Sequence, residues 1–379
     1  MKILHTSDWH LGRNDGDTSL YEDQVFFINE ICRIAAEQRV DAVLIAGDVY
    51  DRAIASADAS RLYDTAMTKL CIEVNIPVFI IAGNHDSAER LSTCSVLLRK
   101  SGLIICGELS RNIAPIELGN CEIFLLPWIT EEKVKSVFPD DREQIENLTG
   151  AYFTVTEKMR ALFSPDKRHI ILSHAFITSA ETSTSDRAAE IGFASQVSAS
   201  VFDGFDYVAL GHIHGPQKIN ERIRYCGTPM PYSFGKEEKQ TKGVVILDTE
   251  TMEQDFVPVK LLHKRTTIEC TLQEALDPQC DDDVREGYTR LRISDSYVGL
   301  QMLSELRAVY AHPIDVEGKS FENETGTVTL TMKQLEEMKT DPAAIFRFYC
   351  QEEMGIEPDE HLAELFNKAV DDYEKEEKI

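Results

Sequence analysis

The feature of this chain that most constrains its fold is a repeated pattern in which a short apolar run leads into a polar side chain able to bind a metal. Five such runs lie in the N-terminal two thirds of the sequence, at residues 2–5, 42–46, 78–82, 169–172 and 207–210. Continuous apolar runs of this length, rich in β-branched residues, are typical of strands buried on both faces. The polar side chains that follow them are Asp8, His10, Asp48, Asn84, His174, His212 and His214.

The segment between the first two runs has the periodicity of an amphipathic helix. Its apolar residues recur at spacings of four and three, and they are Tyr21, Val25, Ile28, Cys32 and Ala35. Such spacing places them on one stripe of a helix. Alternating strands and helices predict a layered α/β domain with a mainly parallel central sheet. In that architecture ligands gather beyond the carboxyl ends of the strands, so we expect the polar side chains to meet there.

The polar side chains form a mixed set of carboxylate, amide and imidazole donors. The absence of thiolates from the set disfavours a structural zinc site, and Mg²⁺ prefers oxygen donors alone. A mixed imidazole and carboxylate set suits Mn²⁺ or iron, with Zn²⁺ as an alternative. One ion with an open position would use only part of this set, whereas two ions about 3.5–4 Å apart that share a carboxylate use all of it. Each motif alone is weak, but all of them in order predict a two-metal site.

The chain carries a formal net charge of −26 at pH 7, whereas surfaces that bind DNA are usually basic. Either the substrate is not DNA, or the attraction for phosphate comes from bound ions, a local basic patch and a partner. Arginines near the motifs are candidates for phosphate contacts, although each could equally be an ordinary surface side chain; they are Arg13, Arg52, Arg90 and Arg187. No signal peptide is recognisable, and no apolar run reaches the roughly 20 residues that span a bilayer. We therefore expect a cytoplasmic protein without membrane contact.

The pattern changes beyond residue 243, where a smaller α+β unit follows a last strand of the first domain. Period-two alternation predicts a half-exposed strand in this unit. Its predicted elements are a strand at 288–293, a helix at 300–311 and a strand at 327–332. We expect a catalytic domain, a small second domain and a C-terminal tail, with bounds 1–262, 263–338 and 339–379.

The tail is acidic, because residues 341–379 contain twelve acidic and four basic side chains. Asp341 and Pro342 suit the N-cap and the first position of a helix. A second helix would place Leu362, Leu365 and Phe366 on one face. Two such helices either pack on their own domain or bind a partner through aromatic residues that enter a groove.

Five short motifs resemble the signature of the calcineurin-like metallophosphoesterases over about the first 250 residues. They are Asp8-Trp9-His10, Gly47-Asp48-Val49-Tyr50-Asp51, Gly83-Asn84-His85-Asp86, Ser173-His174 and Gly211-His212-Ile213-His214. The resemblance implies a layered α/β metallophosphoesterase sandwich. It also implies two ion positions that share Asp48, the first completed by Asp8, His10 and His214 and the second by Asn84, His174 and His212. His85 would contact the scissile phosphate and steady or protonate the leaving oxygen.

A finer resemblance is to the SbcD family, the nuclease components of bacterial double-strand-break repair, and it covers nearly the whole chain. The segments that carry it are residues 1–12, 207–214 and 225–229. It implies a Mn²⁺-dependent DNA nuclease of repair and recombination, acting at the nucleoid as a double-strand exonuclease and a single-strand or hairpin endonuclease. It also implies a homodimer through the nuclease domain and a heterotetramer with an SbcC-type ATPase, which is the component that uses ATP. The small domain would cap DNA, and the tail would grip the ATPase.

One position departs from the pattern of archaeal and eukaryotic relatives, which carry a second active-site histidine three residues after the bridging aspartate. This chain has Asp51 there, which leaves His85 as the strong candidate for a general acid. A phosphatase or cyclic-nucleotide phosphodiesterase is an alternative, but protein phosphatases of this fold carry DRG and GNHE, where this chain has Asp51-Arg52-Ala53 and Gly83-Asn84-His85-Asp86. A pure assembly component is the non-enzymatic alternative, and the complete donor set argues against it.

Overall fold

The computed structural model describes residues 1–186, 196–296 and 300–318, together with Phe346, Leu362, Leu365, Phe366 and Lys368. Each of the five apolar runs forms a strand, and each strand ends at or close to its polar side chains. The apolar residues of these strands are almost completely buried. Burial on both faces is the reason that the runs are continuous rather than alternating.

The first sheet combines parallel inner strands with an antiparallel edge. In spatial order its strands are Gln254–Pro258, Gly243–Asp248, Lys2–Thr6, Ala42–Ile45, Val78–Ile81 and Leu103–Cys106. Lys2–Thr6 pairs in parallel with Ala42–Ile45 and antiparallel with Gly243–Asp248. The parallel strands therefore end at one edge of the sheet, and the loops that follow them lie side by side.

The second sheet also has parallel inner strands, but it is antiparallel at both edges. In spatial order its strands are Gln217–Lys218, Ile223–Tyr225, Tyr207–Gly211, Arg168–His174, Cys121–Leu126 and Ile116–Leu118. The four inner strands are mutually parallel, and both edge strands are antiparallel to their neighbours. Residues 174 and 211 are paired across Arg168–His174 and Tyr207–Gly211, so these two strands also end together.

The two sheets pack face to face, so the expectation of one central sheet is corrected to two. An apolar layer joins them, with Ile3 and Phe79 from the first sheet and Ile170 and Tyr207 from the second. Helices cover the outer faces. A strand buried on both faces has the same apolar run whether its second face meets a helix or another sheet, so the sequence does not distinguish these cases. The layered α/β sandwich implied by the resemblance is confirmed.

Side chains cap the helices that cover the sheets. Ser56 Oγ accepts a hydrogen bond from Ala59 N at 3.1 Å where Ala57–Thr68 begins, and such a cap stabilises a helix by about 1 kcal/mol. The other helices on the outer faces are Tyr21–Gln38 on the first sheet and Leu148–Arg160 on the second. The remaining helical segments of the described residues are Lys69–Glu73, Ala88–Leu91, Ser95–Leu98, Arg99–Ser101, Glu131–Val137, Pro139–Gln144, Ala199–Phe202, Glu237–Lys239, Leu272–Leu276, Asp282–Arg285 and Leu300–Arg307. Two short strand pairs lie in loops of the sandwich, Asn14–Asp15 with Thr18–Ser19 and Phe176–Ile177 with Gln196–Val197.

A third, parallel sheet follows the sandwich in the chain. Its strands are Arg265–Cys270, Tyr288–Ile293 and His312–Glu317. The predicted strand at 288–293 is confirmed, and the predicted helix at 300–311 ends earlier, at Arg307. The predicted strand at 327–332 lies outside the described residues. The domain bounds at 262/263 and 338/339 stay predictions.

Buried polar contacts join the third sheet to the sandwich. The Asp23 carboxylate accepts hydrogen bonds from His263 Nδ1 at 3.0 Å and from Tyr288 Oη at 2.6 Å. Arg265 Nε donates to the Pro231 carbonyl at 2.9 Å. Because Asp23 lies on the helix Tyr21–Gln38, these contacts fix the small sheet against the first layer of helices.

The C-terminal tail is described at single residues only, so its two predicted helices lie outside the described residues. Among the few described residues of the tail, the rings of Phe346 and Phe366 stack with centroids 4.2 Å apart. Within the described ranges, no helix combines the length and apolar character needed to cross a bilayer.

Candidate metal centre

The seven predicted donors converge where the parallel strands of both sheets end. Asp8 and His10 follow Lys2–Thr6, and Asp48 follows Ala42–Ile45. Asn84 follows Val78–Ile81, His174 ends Arg168–His174, and His212 and His214 follow Tyr207–Gly211. The first sheet therefore contributes four donors and the second contributes three. This meeting of two sheet edges brings together side chains that lie up to 206 positions apart in the sequence.

One side of the centre is formed by His10, His214 and Asp8, whose donor atoms all lie within 4.8 Å of one another. His10 Nε2 and His214 Nε2 lie 3.2 Å apart. The Asp8 carboxylate accepts a hydrogen bond from His212 N at 3.0 Å, which fixes it against the second sheet. We call this group the His10–His214 side.

The other side of the centre is formed around Asn84. Its Oδ1 atom lies 2.9 Å from His174 Nε2 and 3.1 Å from His212 Nδ1. His174 Nδ1 donates to the Ala46 carbonyl at 2.8 Å, which fixes the tautomer of a neutral ring and turns its Nε2 lone pair toward Asn84. We call this group the Asn84 side.

Asp48 lies between the two sides. Its Oδ2 atom is 3.4 Å from His174 Nε2 on the Asn84 side and 3.8 Å from His10 Nε2 on the His10–His214 side. The second carboxylate oxygen, Oδ1, accepts a hydrogen bond from His85 N at 2.9 Å. Asp48 is thus within reach of both groups of donors, and Asp8 also lies within 4.8 Å of His174.

The backbone is in the left-handed region at several of these donors. The φ angles are 53° at Asp8, 45° at His10, 49° at Asp48 and 102° at His212. Each such residue costs on the order of 1–3 kcal/mol and persists only where the surrounding structure holds it. The strain is concentrated at the strand ends that place the donors, which is where functional sites commonly carry it.

Glycines allow the strand ends to approach one another closely. Gly47 has φ of 88°, a left-handed backbone conformation that glycine adopts without steric cost. At Gly83 and Gly211 the reason is space instead: an added Cβ would lie 2.1 Å from Asp48 Oδ1 and 1.9 Å from the Ala46 carbonyl oxygen, respectively. Neither position tolerates a side chain unless a donor loop moves.

His85 is half-buried at the edge of the centre. Its Nδ1 lies 2.8 Å from the Asp51 carbonyl oxygen, to which it donates, and its Nε2 lies 4.0 Å from Asp48 Oδ2. The side chain of Asp51 lies 3.6 Å from His10 Nδ1 and 3.5 Å from Arg13 Nη1. Asp51 therefore holds neighbouring cationic and imidazole groups and leaves His85 facing the donors.

The candidate arginines differ in placement. Arg13 is half-buried, with its guanidinium carbon 4.9 Å from the centroid of the Tyr232 ring, and that ring also contacts His10. Arg52 is 83% exposed and lies 3.6 Å from Asp51 Oδ2. Arg90 is exposed, and Arg187 lies outside the described residues.

Burial and neighbouring charges shift the pKa values of the side chains in the centre in opposite directions. Burial raises the pKa of Asp8 to about 6. Burial also opposes ionisation of Asp48, but the facing imidazoles of His174 and His10 outweigh it and hold the pKa of Asp48 well below its usual range. Burial lowers the pKa of His174, yet Asp48 more than compensates and the pKa rises to about 9.

These donors fit a divalent cation. If the three rings are neutral and carry their hydrogen on Nδ1, the Nε2 atoms of His10 and His214 present lone pairs to each other at 3.2 Å, and His174 Nε2 presents one to Asn84 Oδ1 at 2.9 Å. Such pairs repel unless a proton or a cation lies between them, and buried carboxylates are normally paired or coordinate metal. The mixture of imidazole and oxygen donors is the type that first-row divalent metals bind.

Comparison with known proteins agrees with this chemistry. The family model described as calcineurin-like phosphoesterase matches residues 1–216. The SbcD component of the nuclease SbcCD from Staphylococcus epidermidis is 31% identical over 353 residues, which are 92% of this chain and 92% of that protein. The SbcD component of the same name from Staphylococcus saprophyticus subsp. saprophyticus is 30% identical over 375 residues, which are 98% of this chain and 97% of that protein. This chain belongs to the SbcD family of calcineurin-like phosphoesterases.

Membership of the SbcD family confirms the resemblance that the motifs carry. A solved structure of a dimetal phosphatase from Danio rerio is also similar, with 15% identity, a TM-score of 0.41, and coverage of 69% of this chain and 99% of that one. At that score the likeness adds nothing to the family assignment.

Several side chains that shape this SbcD-family centre were not found from the sequence. Tyr232 contacts both Arg13 and the His10 ring, and Trp128 stacks on His212 with centroids 5.3 Å apart. Buried Glu237 and Lys242 lie behind His214. Residues 236–242 read KEEKQTK, a charged run that would normally be solvated surface, so the sequence carries no signal of their burial.

Asp86 ties the donor loops together. Its carboxylate accepts hydrogen bonds from Tyr50 N at 2.9 Å, Val49 N at 3.2 Å and Gly83 N at 2.9 Å. It therefore links the loop after Asp48 to the loop that carries Asn84. The motif Gly83-Asn84-His85-Asp86 contains this residue, but its spacing alone does not assign the carboxylate to the backbone.

Proposed function

We propose that this chain is the nuclease component of an SbcCD-type complex and hydrolyses DNA phosphodiester bonds with divalent metal. The observation that carries the proposal is the position of the Asp48 carboxylate between two groups of donors, 3.4 Å from His174 Nε2 and 3.8 Å from His10 Nε2. The name shared by the two relatives, which align over 92% and 98% of this chain, supports a nuclease rather than another phosphoesterase.

The centre would hold two Mn²⁺ ions that share Asp48, with Mg²⁺ or another divalent ion as a substitute. The first position would use Asp8, His10 and His214 in addition to Asp48, and the second would use Asn84, His174 and His212. When bound, the ions supply an activated water nucleophile and neutralise charge on the reacting phosphate. The two ion positions, which share Asp48, together use all seven predicted donors.

His85 would contact the scissile phosphate and protonate the leaving oxygen. Because its Nδ1 donates to the Asp51 carbonyl at 2.8 Å, Nε2 is the ring nitrogen that faces the donors and would deliver the proton. A positioned general acid contributes about 10²–10⁴-fold to a rate. Because Asp51 supplies no second imidazole, His85 would carry this role alone.

Arg13 and Arg52 would contact substrate phosphates. Arg13 is held by Asp51 at 3.5 Å and by the Tyr232 ring, so its guanidinium is already ordered beside the centre. Arg52 is exposed, and it would exchange its contact with Asp51 at 3.6 Å for a phosphate of a bound strand. Two arginines and two bound cations would provide local positive charge on a chain whose formal net charge is −26.

The assembly would contain an SbcC-type ATPase and two copies of this chain, in the cytoplasm at the nucleoid. The ATPase would use ATP and extend the basic surface for DNA, and the domain from residue 263 would cap the DNA. The tail from residue 339 would grip the ATPase. Exposed apolar side chains on the nuclease domain, such as Val96 at 83% and Leu97 at 68% exposure, suit a contact with a second copy.

The test is a panel of substrates offered to purified protein with Mn²⁺. Linear duplex DNA, hairpin DNA, a phosphopeptide and a cyclic nucleotide would each be tested with and without the ATPase, before and after chelation. We expect cleavage of duplex ends and hairpins that disappears on chelation and returns with Mn²⁺. Turnover of the phosphopeptide or the cyclic nucleotide without DNA cleavage would replace the nuclease proposal by one of the alternatives.

A further inference from the structure

A buried ion pair lies directly behind the His10–His214 side. The side chains of Glu237 and Lys242 are both 0% exposed, and Lys242 Nζ donates to Glu237 Oε2 at 2.9 Å. The Glu237 carboxylate also accepts hydrogen bonds from Tyr232 N at 3.1 Å, Ser233 Oγ at 2.6 Å, Ser183 Oγ at 3.1 Å and Ser185 Oγ. Burying such a pair costs several kcal/mol per ion unless hydrogen bonds compensate it. Hydrogen bonds offset the cost of burying this ion pair, which therefore adds little net stability. Its position beside the donors suggests a role in the metal centre.

The hydrogen bonds of this network converge on His214. Lys242 Nζ donates to the His214 carbonyl at 2.9 Å, and His214 N donates to Asp186 Oδ1 at 3.0 Å. Ser185 Oγ lies 2.5 Å from His214 Nδ1 and donates its own hydrogen to Glu237. Three of the four polar groups of His214 are therefore held by this network, and the fourth is Nε2.

The order of donors and acceptors in this network sets the tautomer of His214. An ionised carboxylate accepts only, so the Ser185 hydrogen must go to Glu237. Ser185 Oγ then has only lone pairs to offer, and His214 Nδ1 must carry the hydrogen that it accepts. In a neutral ring the Nε2 lone pair is left facing the centre, where it meets His10 Nε2 at 3.2 Å. A histidine with this tautomer is ready to bind a metal, and outer partners of this kind typically change metal affinity by about 10–100-fold.

We propose that Glu237 is a positioning residue for the metal centre, acting through Ser185 on the ring of His214, with Lys242 holding the carboxylate in place. The inference builds on the proposed metal-dependent function and names a residue of this chain that the family motifs do not include. Glu237 lies 3.9 Å from His214 Nδ1, too far for a direct hydrogen bond, so Ser185 is the link. The negative charge of Glu237 also favours a cation bound at the His10–His214 side.

The substitution Glu237→Gln tests this role, because glutamine keeps the size of the side chain and removes the charge and one acceptor. Titration calorimetry with Mn²⁺ alone would measure the two affinities on the full chain. We expect one of the two affinities to fall by about 10–100-fold and the other to change by less than about threefold. Ser185→Ala leaves the ion pair intact and removes only the link, and we expect the same position to weaken by about tenfold.

A matched control is available in Glu122, a second buried carboxylate remote from the centre. Its side chain is 4% exposed, and it accepts hydrogen bonds from Ser164 N at 3.0 Å and Ser164 Oγ at 2.5 Å. We expect Glu122→Gln to lower the melting temperature and leave both Mn²⁺ affinities unchanged. The proposal is overturned if Glu237→Gln, or Ser185→Ala should the first variant not fold, binds both ions like the wild type. It is overturned equally if Glu122→Gln shows the same loss.

These measurements separate the inference from the proposed function. A wild-type chain that binds two Mn²⁺ ions but cleaves no DNA would end the nuclease proposal and leave the role of Glu237 testable by metal affinity. A wild-type chain with no measurable Mn²⁺ binding would end both.

Discussion

His212 and His214 lie two residues apart at one strand end, yet the protein supports them in opposite ways. The His212 ring stacks on Trp128, with centroids 5.3 Å apart and an interplanar angle of 23°, and it also contacts Phe176. Burial lowers the pKa of His212 to about 3. His214 is held by the polar network of Ser185 and Glu237. Burial lowers its pKa, but Glu237 and Asp186 outweigh burial and the pKa of His214 rises.

The difference shows that aromatic packing and a polar network constrain different properties of a histidine ring, its orientation in one case and its tautomer in the other. Aromatic packing fixes the plane of the His212 ring, and Asn84 Oδ1 at 3.1 Å meets its Nδ1. The polar network fixes the tautomer of His214 and adds negative charge behind it. The two sides of the centre should therefore respond to different substitutions, and Asp48 is the residue whose loss should affect both.

The largest effect is expected for Asp48→Ala, which should erase the difference between the two sides. Because this carboxylate reaches donors on both, we expect the loss of both bound ions and a fall in nuclease rate of about a thousandfold or more. Metal analysis of the purified variant and a duplex cleavage assay would measure this. Asp58→Ala is a control, since that aspartate is exposed on the helix Ala57–Thr68. Retention of one tightly bound ion in Asp48→Ala would contradict a shared carboxylate.

The next effect is expected for His85→Gln, which should leave both sides occupied. The ring donates to the Asp51 carbonyl and is not one of the seven donors, so Mn²⁺ content should stay at the wild-type level. Loss of the general acid should lower the cleavage rate by about 10²–10⁴-fold. Wild-type cleavage at unchanged metal content would remove His85 from the chemistry.

A smaller and one-sided effect is expected for Trp128→Leu. Loss of the stacked ring should let His212 tilt, and aromatic pairs are worth about 0.5–1.5 kcal/mol beyond burial, so Mn²⁺ affinity on the Asn84 side should fall roughly threefold to tenfold. The control is Phe163→Leu, which removes an equivalent stack on His169, with centroids 3.7 Å apart, remote from the centre. Equal weakening of both ions in Trp128→Leu would show that the two supports are not independent.

The smallest effect is expected for His5→Gln, which measures how burial of one imidazole changes the pH dependence of the unfolding free energy. His5 is fully buried in the strand Lys2–Thr6, and burial lowers its pKa from 6.5 to about 3. Below pH 6.5 the unfolded chain binds a proton that the folded chain does not, so stability falls as the pH drops from about 6.5 toward 3. Between pH 7.5 and 5.5 the protonation of this histidine in the unfolded chain should lower the unfolding free energy by about 1.4 kcal/mol. Urea unfolding of the wild type and of His5→Gln at both pH values would measure it, and a stability difference that does not change with pH would contradict it.

The fold followed from the sequence wherever a pattern had one physical meaning. Apolar runs such as 42–46 and 78–82 required buried strands, and the donors after them required one shared edge. The division into two sheets could not be predicted, because a strand buried on both faces has the same apolar sequence whether a helix or another sheet covers each face. Glu237 and Lys242 could not be predicted either, since only the tertiary structure distinguishes a buried ion pair from a charged surface run.

The most direct test of the shared carboxylate is anomalous diffraction at the manganese edge from crystals of this chain grown with Mn²⁺. The account predicts two peaks about 3.5–4 Å apart, one on the His10–His214 side and one on the Asn84 side, each within bonding distance of the Asp48 carboxylate. A single peak, or two peaks of which one does not contact Asp48, would contradict it.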